Sequence, residues 1–147
     1  MKKLLALLAL TLPALAAGKP EAAVKYRQSV MKSMGAQMTA MSLIVKGEVA
    51  HRERLAGHAE ALHAVSRDLE ALFPVGSGSD KVRTAAKPEI WKRWTELLAA
   101  AAALERESAK LSQLAAGRDA RAFDAQFEKV SAACANCHKP FRVRDTE

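Results

Sequence analysis

The sequence is poor in cysteine and in aromatic residues, and each shortage removes a class of protein. Two cysteines in 147 residues cannot staple a fold, and a chain of this length forms a core without staples. Aromatic residues make up 5% of the chain and tyrosine occurs once, so a nucleic-acid surface, which wants a basic stripe with stacking rings, has no material to be built from. The formal charge is +7, but the basic residues are interspersed with acids rather than gathered in blocks. That pattern fits solubility, mild attraction to acidic partners and neutralisation of an anionic cofactor. No segment sustains alternation with period two, so no strand is predicted. No nucleophile–base pair that would support an enzyme stands out either.

What the chain has begins with a leader. In residues 1–16, MKKLLALLALTLPALA, Lys2 and Lys3 precede an apolar run from Leu4 to Leu12, and Ala14-Leu15-Ala16 offers the small residues of a cleavage site. The alternative, an uncleaved anchoring helix, is opposed by the shortness of that run. The expectation is a cleaved signal peptide over 1–16, a periplasmic location, and a single domain over 17–147 that does not insert in the membrane. Removal of the leader takes two lysines and no acid, so the mature chain stays basic.

The rest reads as helix. Met31, Met34, Met38, Met41 and Val45 recur at steps of three and four. Leu55, His58, Leu62, Val65, Leu69 and Leu72 form a second such stripe; Ile90, Trp94, Leu97, Ala101, Leu104, Ser108 and Leu111 a third; Phe123, Phe127, Val130, Cys134, Cys137 and Phe141 a fourth. Each is the single apolar face of a helix packed on others. Pro20 and Glu21 suit the first turn of the first helix, and Gly47 marks its end. FPVGSGSDKVRTAAKP, residues 73–88, is a loop by composition, and Gly117 with Asp119 reads as a stop followed by an N-cap. Two short connections and one long one give an all-α fold, an antiparallel up-down-up-down four-helix bundle.

Both cysteines fall in CANCH, residues 134–138. A redox dithiol would sit at a helix N-terminus in a strand-and-helix fold, whereas this pair lies near a helix end in a chain without strands. A structural zinc site needs four ligands, and Cys134, Cys137 and His138 supply three. Covalent haem attachment fits best: each thiol adds to one vinyl group, and the adjacent histidine ligates iron. Because both thiols share the stripe of Phe127 and Val130, the haem is expected among the helices.

These features resemble the class II c-type cytochromes, the family of cytochrome c′ and its low-spin, methionine-ligated relatives. The resemblance rests on AVKYRQSVMKSMG, LFP, KPEIWKRW and CANCHKPFR, and spans essentially all of the mature chain. It implies one haem c held in a four-helix bundle that is often dimeric, with thioethers at Cys134 and Cys137 and His138 as proximal ligand. It also implies a basic residue, Arg142, near the proximal pocket, and an arginine on the first helix, Arg27, paired with a haem propionate. Arg27 lies four residues before Met31, on the same helix face; a solvated surface arginine is the bland alternative. Pro140 departs from the pattern and is expected to bend the last turn.

Met31 is the position from which the family reaches the other side of the iron. By resemblance to the low-spin subgroup, Met31 ligates iron, and the protein passes single electrons to transient redox partner proteins. The alternative is a five-coordinate cytochrome c′ in which Met31 only blocks the site and small gases such as nitric oxide bind. Met34, Met38 and Met41 read as core filling around a large cofactor, and a haem-free interaction bundle is the reading from outside the family.

Overall fold

The computed structural model describes residues 19–117 and 119–143; the expected leader, 1–16, lies outside them. Five helices follow in order: α1 (Pro20–Val45), α2 (Leu55–Val65), α3 (Glu89–Lys92), α4 (Trp94–Ala115) and α5 (Ala120–Phe141). There is no strand among the described residues, only an isolated antiparallel bridge between Ala86 and Arg142. None of the described helices is long and apolar enough to cross a membrane.

The ends of α1 and α5 are set by local chemistry. Pro20 opens α1 at a position where its missing N–H costs nothing. At the other end Gly47 adopts φ 74° and its N–H caps Ile44 O at 3.0 Å, a conformation that glycine enters without a Cβ penalty. Asp119 caps α5, its carboxylate accepting from Ala122 N at 3.0 Å.

Two of the expected helices are shorter or broken. The second stripe runs to Leu72 in sequence, but α2 stops at Val65. Ser66 bonds back to His63 O at 2.9 Å and Asp68 takes a left-handed φ of 52°. Short polar side chains compete with the helix in this way, so Leu69–Leu72 continues as a separate 3₁₀ turn with Leu69 and Leu72 still buried. The third helix breaks at Arg93 (φ −119°, ψ 45°), which separates the single turn of α3 from α4. Trp91 then donates from Nε1 to Phe73 O at 3.2 Å, while Trp94 packs half-buried on the core.

α1 packs on α2, α2 on α4 and α4 on α5. Met41, Leu62, Leu97, Leu111 and Val130 are fully buried along these seams. Gln126 crosses the last one, donating from Nε2 to Glu107 O at 3.0 Å and to its carboxylate at 2.6 Å. α1 and α5, the remaining neighbours around the square, make no extended backbone contact. The site therefore has to be sought along that seam.

Candidate haem site

α5 brings the motif to the seam. Phe123, Phe127, Val130 and Phe141 are buried, and the stripe they define is half-buried only at Cys134 and Cys137. On α1 the same pattern recurs: Met34 and Met41 are buried, whereas Met31 and Met38 are half-buried against the core. Partly buried apolar side chains thus stand on both helices, packed against the same core. That geometry suits a flat apolar group held between α1 and α5, and the thiols three residues apart are on the right face to hold it.

The thiols carry no disulfide. Burial pushes the Cys134 thiol above its ordinary pKa, and burial followed by the neighbouring Cys134 does the same for Cys137. A dithiol oxidoreductase needs the opposite shift. Among the described residues no three His, Cys, Asp or Glu side chains converge as a metal cluster, which leaves the zinc reading without a fourth or even a third converging ligand. His138 is exposed as a residue, yet burial of its imidazole, and then the Arg142 cation, press its pKa below the ordinary value. The neutral imidazole is the form that binds a metal.

The remaining predicted residues are placed as follows. Pro140 is accommodated in the last turn of α5: the helix runs on to Phe141, and Arg142 N still donates to His138 O at 2.9 Å. Arg142 itself leaves the helix in extended conformation and is exposed. It therefore stands just past the helix end, held by the bridge to Ala86 rather than by a further helical turn.

Arg27 is not a surface residue; it is 4% exposed. Its guanidinium donates to Leu72 O at 3.1 Å, to Ser77 Oγ at 2.9 Å and O at 3.0 Å, and to Thr84 Oγ1 at 2.9 Å. It also lies over the Phe73 ring, 5.0 Å from the centroid. Every one of these partners is neutral, and no carboxylate pairs with Arg27 among the described residues. Burial accordingly lowers its pKa. A buried cation surrounded by neutral acceptors suits an anionic propionate as counter-ion, so this residue too fits a haem.

Ser77 and Thr84 have no counterpart in the sequence reading. An arginine on an apolar helix face signals buried acceptors somewhere, but partners 50 and 57 residues away carry no local pattern. An open apolar groove of about 850 Å³, lined by Phe73, Pro74, Val75, Trp91 and Trp94 among others, lies between the loop and α3 and is lined by neither the thiols nor His138.

With this geometry in hand, comparison with known proteins is direct. The family model for cytochrome c′ matches residues 22–142. Cytochrome c′ of Pararhodospirillum photometricum is 34% identical over 123 residues, covering 84% of this chain and 98% of its own. That of Alcaligenes xylosoxydans xylosoxydans is 33% identical over 128 residues, covering 86% and 97%. Among solved structures, the nitric oxide complex of a leucine-to-alanine variant of cytochrome c prime from Alcaligenes xylosoxidans superposes with a TM-score of 0.79 at 31% identity, covering 87% of this chain and 98% of that one. The bundle, the attachment motif and these matches agree: the chain belongs to the cytochrome c′ family, and its cofactor is covalently attached haem c.

Proposed function

We propose that this chain is a periplasmic haem protein that binds a small neutral gas such as nitric oxide. In this reading Cys134 and Cys137 are the attachment thiols, His138 is the proximal ligand, and Met31 screens the opposite side without ligating. The observation that carries the proposal is the α1–α5 seam: Met31, Met38 and the two thiols are half-buried members of largely buried stripes, on helices that make no extended backbone contact. Haem held there by Cys134, Cys137 and His138 would supply an iron centre able to bind a small ligand beside α1. Around it Met31, Met34 and Met38 present an apolar wall, which costs an uncharged diatomic little desolvation and excludes charged competitors. Similarity to a cytochrome c prime solved with nitric oxide supports the same choice.

Arg27 serves the propionate in this reading, supported by its burial without a carboxylate partner. Arg142 serves the proximal side, where its charge already acts on the His138 ring. Export to the periplasm is supported by the leader-like residues 1–16.

A second reading is favoured by one feature of Met31, which is a flexible thioether half-buried against the core. His/Met ligation would raise the reduction potential and suit transfer of single electrons to a redox protein. The optical and electron-spin-resonance spectra of the ferric protein, repeated on Met31→Ala, decide between the two. The gas-binding reading expects a high-spin spectrum that the substitution leaves unchanged. A low-spin spectrum with a methionine-to-iron charge-transfer band, lost in Met31→Ala, would replace it with the electron carrier.

A further inference from the structure

The loop 73–88 is held at both of its ends by elements on opposite sides of the haem seam. From α1, Arg27 grips Leu72, Ser77 and Thr84. Thr84 Oγ1 accepts a second bond, from Ala86 N at 3.2 Å. The adjoining backbone then pairs with the end of α5: Lys87 N donates to Phe141 O at 2.9 Å and Val143 N to Ala85 O at 2.8 Å. Arg142, between those two positions, donates from its backbone N to His138 O at 2.9 Å. Hydrogen bonds linked by short stretches of backbone therefore join Arg27, one turn from Met31, to the residue proposed as proximal ligand.

We propose that residues 73–88 form a strap that fixes the distal helix and the proximal helix end relative to each other, with Thr84 as its central positioning residue. The proposal deepens the gas-binding reading and rests on it for its distal measurement. Thr84 is suited to the role because one hydroxyl serves both halves of the strap. Its oxygen accepts from the Arg27 guanidinium on one side and from the Ala86 amide on the other. Loss of that acceptor would leave a charged donor and a buried amide competing for fewer partners, and the 85–87 segment would lose its register on Phe141–Val143. A rigid link of this kind is a physical route for coupling, because the elements it ties are packed helices rather than loose chain.

The test uses haem-loaded full chain carrying Thr84→Val, which keeps the shape and removes the hydroxyl, and Thr84→Ser, which restores it. Three quantities are read: hydrogen exchange at the Lys87 and Val143 amides, the iron–histidine stretching frequency of the ferrous protein by resonance Raman, and the association rate of carbon monoxide. Thr84→Val is expected to speed exchange, shift the stretching frequency, and change the association rate by roughly two- to thirty-fold, the span common for coupling through a packed network. Thr84→Ser is expected to return all three toward the parent. Faster exchange with both haem measurements unmoved would overturn the strap, and so would unchanged exchange. The spin state of the parent, recorded first, separates this from the reading beneath it. A six-coordinate His/Met parent sinks the gas-binding proposal, and the strap is then judged by the methionine charge-transfer band in place of carbon monoxide.

Discussion

Replacing Arg27 by methionine tests how much of the fold around the site depends on one buried cation. The substitution keeps an unbranched stem of similar bulk against Phe73 and removes the guanidinium. Four hydrogen bonds disappear, but they do not count equally. Ser77 Oγ still donates to Pro74 O at 2.8 Å, and Thr84 Oγ1 still accepts from Ala86 N. The carbonyls of Leu72 and Ser77 lose their side-chain donor outright, at about 1–3 kcal/mol for each buried acceptor left unsatisfied. Burying a charge is itself unfavourable, as the lowered pKa of Arg27 shows, so the net loss should fall near ~2–4 kcal/mol. With a urea slope of about 2 kcal/mol/M, the unfolding midpoint should drop by about 1–2 M. Limited proteolysis should cut within 73–88 much faster than in the parent, and Arg27→Lys, which supplies the charge without the fork, should fall between. A midpoint within about 0.3 M of the parent and an uncut loop would refute the reasoning. The loop would then be held by the Trp91 bond to Phe73 and by the bridge to α5 alone.

Cys134→Ser combined with Cys137→Ser should abolish the haem addition in the intact mass of protein made with haem-maturation machinery, while either change alone leaves one thioether; a full haem adduct on the double variant would remove the thiols from the site. Gln126→Leu deletes the tie from α5 to Glu107 and should cost about 1–2 kcal/mol in thermal unfolding, whereas a gain would mean that burying the amide outweighs its bonds. Asp119→Ala removes the α5 cap and should cost about 1 kcal/mol, with the haem spectrum unchanged, because the cap lies at the end of α5 remote from His138; a spectral change would show that the whole helix shifts.

What could be read from sequence was whatever a single element encodes. The α5 stripe, the thiol spacing, the Gly47 stop and the Asp119 cap are properties of neighbouring residues, and each stands in the structure where the pattern places it. The second stripe misled because periodicity survives Ser66–Asp68 although the helix does not: Leu69 and Leu72 stay buried on a separate turn that happens to keep the register. Ile44 rather than Val45 is the buried residue at the end of α1, a one-residue drift that a 3.6-residue repeat allows over 26 residues. The partners of Arg27 were out of reach for a different reason. Ser77 and Thr84 are ordinary loop residues, and only the return of the chain after α2 brings them to α1.

That return also determines how the haem seam is held. Three seams of the bundle are closed by extended helix packing, and along the fourth, between α1 and α5, polar ties stand near both ends among the described residues. At one end Arg52, just before α2, pairs with Asp124 of α5 at 2.8 Å, but both side chains are substantially exposed, and such a pair contributes at most about 1 kcal/mol. At the other end the link runs through a buried guanidinium, a threonine hydroxyl and a backbone bridge that stops four residues past His138. The buried tie and His138, the proposed iron ligand, are therefore at the same end of the bundle. In the proposed reading, the position of His138 relative to α1 depends on a loop whose composition signals nothing but a turn.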